Sequence, residues 1–533
     1  MEAKHNGTTL VLKMKDYCPS NECSLAKGIV VCTLLSLLFI GSFSGACLMW
    51  FTEIYYDEII NQLTIRDGSD VYEAWRKPPV KPLICVHVFN YTNFEEYAKK
   101  IDKKLKIEEV GPYCYRETLE KKNVTFSEDG KKVTYGDTRK HKFEPSHSKG
   151  SKDDILVVPN LALIGTIAVT KDMNRFSQIA LSYFLRSLLR YSNSMITVKA
   201  HDFIFGYDDK LVELGLYVAK LLQRDVPFEK LGILSQRAAD TDDTITVLTG
   251  TNDIENIGIV SEINGEDRLY VWPEEECNRI DGSDGAFFPR HTLNNNVTLY
   301  LFHNNMCRRM PFVYDKEVLF QGDVTAMRFH AAPDVYNTNG TCYCPESGCA
   351  PYGLFDLSPC SEGIPLLVSF PHFLNADPSI SEPFEGLHPD SEKHEFYIDI
   401  QRLLGFTLGT VSRLQMNMRI EKSKYTNLLK EFPNNLILPL FWIQVSAEEM
   451  PPELYNIIYH STFTVKRMQV VLRWGLLLFT LLLLYFLVVY SRLLIGTIKR
   501  KTEELKDKKS TCCQEMLPKH IDIKTGTCEI SRV

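Results

Sequence analysis

The chain carries none of the compact catalytic signatures: no G-x-S-x-G elbow, no H-E-x-x-H pair and no glycine-rich phosphate loop. An enzyme is therefore the reading with least support. A cationic excess is missing too. The 60 lysines and arginines are outnumbered by 67 aspartates and glutamates, a formal net charge of −7, which leaves nucleic acid without an electrostatic footprint. There is no internal repeat and no low-complexity segment, which sets aside solenoids and arrays. Nothing calls for a cofactor or metal. His372, His388 and His394 fall close together but not at the spacing of ligands on one face, and they read as surface or core histidines. The most informative absence is local: charge disappears altogether from 28–52 and from 474–491.

Both charge-free runs are rich in leucine, isoleucine, valine and phenylalanine. About 20 apolar residues in helical geometry cross a hydrocarbon core, so each run is long enough to span a bilayer. The alternative for the first, a signal peptide cut after Ala46, fits poorly. The polar leader of 27 residues is long, and the apolar run exceeds the usual h-region. The second run, which Leu493, Leu494 and Ile495 extend, is apolar on every face and so unlike a core helix. Two spans put both termini on one side. Lys4, Lys13, Lys15 and Lys27 before the first, and Lys499, Arg500, Lys501 and Lys506 after the second, place both tails in the cytosol. Lys466, Arg467 and Arg473 lie outside and run against that rule. The expected division is a cytoplasmic tail (1–27), a span (28–52), an outer domain (53–473), a second span (474–495) and a cytoplasmic tail (496–533).

The outer domain has the chemistry of an oxidising compartment. Asn90, Asn123, Asn296 and Asn339 open glycosylation sequons, whereas the one at Asn6 falls in the cytosolic tail. Eight cysteines lie outside, namely Cys85, Cys114, Cys277, Cys307, Cys342, Cys344, Cys349 and Cys360. An even set there argues for disulfides. The spacing from Cys342 to Cys349 is not that of a zinc finger.

Strand signals dominate this region. Asp129-Gly130 and Asn264-Gly265 suit tight hairpin turns, the second between strands at 259–263 and 268–272. Leu414, Met416, Met418 and Ile420 alternate with Gln415, Asn417, Arg419 and Glu421, the period of a half-buried strand. Helices interrupt the pattern at about 172–224. From Asp172 to Ser194, Phe176, Ile179, Ala180, Tyr183, Phe184, Leu188 and Leu189 recur at helical spacing. Arg175, Arg186 and Arg190 fall within about 60° of arc on the same helix. That stripe is either a solvated face or an electropositive docking surface for anionic ligands.

Taken in order, these segments resemble the class B scavenger receptors over nearly the whole chain. The likeness is carried by the two spans, Gly111-Pro-Tyr113 with Arg116, Phe143-Glu-Pro-Ser146 and Phe205-Gly-Tyr-Asp-Asp-Lys-Leu211. Cys277-Asn-Arg-Ile-Asp-Gly-Ser-Asp-Gly285, Phe370-Pro-His-Phe-Leu374, Ser381-Glu-Pro-Phe-Glu-Gly-Leu387 and Gly405-Phe-Thr-Leu408 extend it. The resemblance implies an α+β fold: a large ectodomain on an antiparallel β-barrel core, an apical helical bundle and an internal hydrophobic tunnel. It also implies the pairs Cys277–Cys342, Cys307–Cys360 and Cys344–Cys349. Cys85 and Cys114 are extra to that set, and both sit on strands expected to be neighbours, so a fourth bridge is expected between them. Arg190 falls where a relative carries a carboxylate-binding lysine. Phe205 replaces the family's usual tryptophan. Tyr183 stands where the lysosomal member carries a histidine, and the tail has no acidic dileucine.

The implied function is a plasma-membrane receptor, also endosomal, that binds lipids, lipoproteins or anionic particles at its apex and transfers lipid to the membrane. Fatty acids, sterols or carotenoids are the expected lipids. The alternatives are a phagocytic or adhesion receptor that moves no lipid and a sorting receptor for a luminal protein. Cys18, Cys23, Cys512 and Cys513 are candidates for S-acylation. Ser531 and Val533 suit capture of the carboxyl terminus by a PDZ scaffold. A second copy of the chain is a further expected partner.

Overall fold

A computed structural model describes residues 20–188, 194–221, 230–238, 243–338, 342–447 and 449–515. The chain divides into two compact units, Met1–Asp57 with Phe463–Val533, and Glu58–Thr462.

The first unit is built on two helices, Ser20–Phe51 and Val465–Glu515, both long and apolar enough to cross a membrane. They pack side by side. Ser42 Oγ lies 2.6 Å from Thr480 Oγ1, and the rings of Trp50 and Trp474 meet edge-on with centroids 5.4 Å apart. Arg473, a basic residue that ran against the charge rule, donates from Nε to the Met49 carbonyl at 2.6 Å. It answers the negative carboxyl end of the first helix.

The second unit is a mixed α/β domain. Its strands are β1 (Leu83–Tyr91), β2 (Leu105–Phe126), β3 (Lys132–Phe143), β4 (Ile155–Pro159), β5 (Met195–Lys199), β6 (Ile245–Leu248), β7 (Val260–Ile263) and β8 (Leu299–His303). Then come β9 (Arg308–Phe320), β10 (Val324–Ala331), β11 (Phe355–Asp356), β12 (Leu366–Ser369), β13 (Phe384–Glu385), β14 (Tyr397–Gln401), β15 (Phe406–Arg419) and β16 (Ile437–Ser446). The main sheet runs β7-β6-β3-β2-β1-β16-β15-β14-β10-β9-β8, antiparallel between neighbours, while β4 and β5 form a separate two-stranded antiparallel sheet.

The two edges of the main sheet approach one another, making a nearly closed barrel. The segment Gly282-Ser283 stitches them. Val260 N donates to the Gly282 carbonyl at 2.9 Å on the β7 side, and Ser283 N donates to the Tyr300 carbonyl at 2.9 Å on the β8 side. Bridging the edges removes the unpaired backbone that open sheets expose.

One face of β1 and β2 (Ile84, Val86, Tyr113, Tyr115) is buried in the main apolar core with Leu163, Phe203 and Leu440. The opposite face carries Cys85 and Cys114, which are paired across the strands and joined by a disulfide. Three more disulfides link Cys277–Cys342, Cys307–Cys360 and Cys344–Cys349.

Two expectations need correction. The turn at Asn264-Gly265 forms, but 268–272 is no strand. The amides of Val271 and Trp272 are both taken by the side-chain oxygen of Asn278, so they are not offered to β7. Along 414–421 Met418 and Ile420 are buried as the alternation expects, but Gln415 and Asn417 of β15 are fully buried too, while Leu414 and Met416 keep partial exposure. The carboxamides satisfy one another and the loop above them: Gln415 donates to Asn417 at 2.7 Å, Asn417 donates to Ser369 Oγ at 3.0 Å, and Gln415 accepts from the His372 amide at 2.6 Å. Burial of polar groups is tolerated when they are paired in this way.

Candidate functional site

The helices that break the strand pattern form a cap on β4 and β5. Asn160, fully buried, ends β4's run and accepts from the Leu163 amide at 3.0 Å, capping the apolar helix Leu161–Thr170. Lys171 then pairs with Glu421 at 2.6 Å, and Asn174 accepts from the Ser177 amide at 2.9 Å. These contacts start and aim the helix Arg175–Leu188.

That helix is held by a different face from the one its apolar spacing suggested. Leu185 and Ser182 are buried, and Ser182 Oγ donates to the Tyr425 carbonyl at 2.6 Å. Phe176 and Tyr183 are instead 83% and 72% exposed. Backbone carbonyls and Ser423 engage Gln178 and Ser182 on the packed side, so the polar side of the turn faces inward and the aromatics face out. Arg175 and Arg186 are exposed on the neighbouring strip. Among the described residues neither meets a carboxylate within ion-pairing distance. The helix therefore offers guanidinium groups beside exposed aromatic rings. Arg190 and the end of the expected helix lie outside the described residues.

Phe205 shows why its substitution fits. Its ring meets Tyr115 edge-on at 4.9 Å and lies 5.2 Å from His201, inside an aromatic packing site that needs bulk rather than an indole N–H.

A buried charge cluster fixes the cap's neighbour, the short helix Ser235–Ala238. Arg237 grips Glu117 of β2 with two bonds at 2.7 and 3.0 Å, while His141 reaches it at 3.0 Å and Arg139 at 3.6 Å. Burial works to raise the Glu117 carboxyl, but His141 and the two arginines outweigh it and hold the group well below the carboxylate range. No sequence signal pointed to this cluster, because Arg237 lies 120 residues from the carboxylate it grips.

A cavity of about 1010 Å³ opens on the face of the sheet opposite the apolar core. Its walls include Cys85 and His87 of β1, Glu109 of β2, Arg413 of β15, Trp442 of β16 and the loop that carries His388 and His394. His372, His388 and His394 meet here. Glu109 is shared between His87 at 2.7 Å and His372 at 2.6 Å. Burial, offset in part by Glu109, pushes His87 down. Burial and the neighbouring His372 push His394 down to about 4.

The sequon asparagines divide. Asn123 and Asn296 are exposed, while Asn90 is half-buried with its side-chain oxygen accepting from the Val157 amide at 2.8 Å. Asn339 lies outside the described residues. So do Cys18, Ser531 and Val533. Cys23, Cys512 and Cys513 fall within the two long helices.

A sequence model of the CD36 family matches residues 34–491. Scavenger receptor class B member 1 of Sus scrofa is 26% identical over 459 residues, covering 85% of this chain and 87% of the relative. Lysosome membrane protein 2 of Mus musculus is 30% identical over 401 residues, covering 73% of this chain and 80% of the relative. Scavenger receptor class B member 1 of Rattus norvegicus is 29% identical over 394 residues, covering 73% and 75%.

Proposed function

Because this chain belongs to the CD36 family, we propose that it is a cell-surface lipid receptor and transporter. Family membership makes it a membrane receptor. The finer proposal is that anionic lipids, lipoproteins or anionic particles dock on the exposed side of the helix Arg175–Leu188, and that lipid then passes through the ectodomain to the bilayer. The 28–52 and 474–495 segments span the membrane in this proposal, with both tails cytosolic.

The observation that carries it is the exposed strip of Arg175, Phe176, Tyr183 and Arg186. Guanidinium forks match carboxylate and phosphate, and exposed aromatic rings take the adjoining apolar surface. Free cations on one strip also raise the encounter rate of anionic particles. The test is the full-length Arg175→Glu/Arg186→Glu variant on cells. Binding of phosphatidylserine vesicles should fall by roughly tenfold or more, while surface abundance measured by antibody stays unchanged. Undiminished binding would refute the docking strip.

The match to lysosome membrane protein 2 favours a second reading, a receptor of the lysosomal membrane. Tyr183, where the lysosomal member carries a histidine, and the tail without an acidic dileucine support the plasma membrane instead. Transfer is tested separately with labelled fatty acid, sterol or carotenoid. A receptor that binds vesicles but moves no label is an adhesion or phagocytic receptor.

A further inference from the structure

The histidines around the large cavity do something other than pack. The loop after β13 is anchored at its start by Gly386, where any Cβ would collide with the Ile107 carbonyl. Beyond it, two backbone amides in three residues donate to imidazole nitrogens. The His388 amide donates to His372 Nδ1 at 3.1 Å, and the Asp390 amide donates to His394 Nδ1 at 3.0 Å. A ring nitrogen accepts a hydrogen bond only while it carries no proton. His372 is fixed in one tautomer from both sides, since its Nε2 lies 2.6 Å from Glu109 Oε2 and gives its proton there. The two rings are stacked with centroids 4.7 Å apart, and both residues are buried, at 3% and 5% exposure.

We propose that His394 is a proton-operated latch that, by its stack on His372 and its bond to the Asp390 amide, keeps the segment 386–394 seated as a wall of the cavity. A proton on His394 Nδ1 turns the acceptor of the Asp390 amide into a donor facing a donor. The bond that ties the short helix Ser391–His394 back to the Asp390 amide is then lost, and the cation on His394 stands stacked against the His372 ring, with Arg413 adding to the repulsion. Release of the segment opens the cavity of about 1010 Å³ and uncovers the stacked pair His87 and Trp442, whose rings lie 3.7 Å apart. The device would answer to passage from a neutral to an acidic compartment.

The charged surroundings set the direction. Burial and His372 disfavour a cation on His394, and Arg413 of β15 does the same, while Glu109 and Asp390 oppose them. Asp390 is itself engaged by Lys393 at 2.9 Å. His87 of β1 shares Glu109 with His372, and Lys149 acts on His87. The balance puts His394 at about 4 in the latched state, against about 6.5 for a released imidazole. A depressed histidine contributes stability that is whole above the released value and is lost as pH falls towards the latched one. At pH 5 the latched-to-released ratio drops by roughly 30-fold from this residue alone.

Hydrogen–deuterium exchange of the full-length protein in detergent, at about pH 7 and pH 5, tests the latch once rates are corrected for intrinsic chemistry. Peptides covering 386–396 should exchange roughly 20-fold faster at the lower pH, while peptides from β1 and β16 keep their protection. In His394→Asn, the side-chain oxygen accepts the Asp390 amide without titrating, so the response of the segment should shrink. Equal protection of the segment at both pH values overturns the proposal. So does an unchanged response in His394→Asn, or loosening of the whole ectodomain together. If the variant does not reach the surface, the wild-type comparison decides.

Discussion

Gly282→Ala probes the closure of the barrel. A Cβ at this position would stand 2.7 Å from the Phe302 nitrogen and 3.1 Å from the Leu301 carbonyl carbon. Both are backbone atoms of an edge strand, so nothing flexible can swing aside and the strand must retreat. Retreat stretches the bonds from Ser283 N to the Tyr300 carbonyl and from Phe302 N to the Ser283 carbonyl, now 2.9 and 3.0 Å. Overpacking costs about 1–3 kcal/mol, and two weakened backbone bonds add about 1 kcal/mol each, a total of about 3–5 kcal/mol. With an unfolding entropy of about 2 cal/mol/K per residue, a unit spanning Glu58–Thr462 that melts cooperatively should lose about 4–6 °C. The control is Gly215→Ala on the helix Lys210–Leu221, where nothing lies within 4 Å. Helix propensity there predicts no loss and a gain of up to about 1 kcal/mol. Thermal unfolding of the detergent-solubilised protein, followed by tryptophan fluorescence, reads both, since Trp75, Trp272 and Trp442 are all buried. A Gly282→Ala midpoint indistinguishable from wild type would refute the closure argument.

Three other outcomes follow from the same structure. Replacing Cys85 and Cys114 together by serine opens a loop of 29 residues and should cost about 3–4 kcal/mol; a melting curve that does not move would show the bridge to be idle. Glu117→Gln leaves Arg139, Arg237 and His141 around a neutral group, with an expected loss of about 3–5 kcal/mol and reduced surface abundance, and normal abundance with unaltered melting counts against it. Burial, then Arg237 and Arg139, push His303 down to about 4, so its share of stability is whole above about 6.5 and lost as pH falls, about 2 kcal/mol at pH 5. His303→Asn should flatten the acid limb of stability against pH, and an unchanged slope rejects the assignment.

What could be seen in the sequence was what is written locally along it. A charge-free run declares a candidate membrane helix, and Asp129-Gly130 declares its turn because the positive φ it needs is taken by Gly130 alone. Asn264-Gly265 declared a turn just as well, yet the strand after it was lost to Asn278, whose side chain competes from a few residues downstream. The periodicity of the helix Arg175–Leu188 was right and its orientation wrong, since which face is buried depends on Tyr425 and Ser423, more than 240 residues away. The histidines were dismissed on spacing for the same reason. Glu109, the group that gives His372 its role, is 263 residues from it.

Several of the motifs that carry the family resemblance land in the scaffold, and this limits what those motifs say about cargo. Cys277–Gly285 closes the barrel through Gly282 and Ser283. Gly386 and Gly405 sit where a side chain would strike the Ile107 and Phe288 carbonyls, and Phe205 fills an aromatic packing site. Each is demanded by backbone approach or by volume, not by a ligand. The exposed strip of Arg175, Phe176, Tyr183 and Arg186 belongs to no such motif, and packing constrains none of the four. Residues free of structural duty are the ones whose identity can be spent on recognition. Cargo selectivity should therefore respond to changes on that strip that leave the melting temperature untouched, whereas changes in the motifs should lower stability and binding together. A strip variant that loses binding only in proportion to lost stability would erase the distinction.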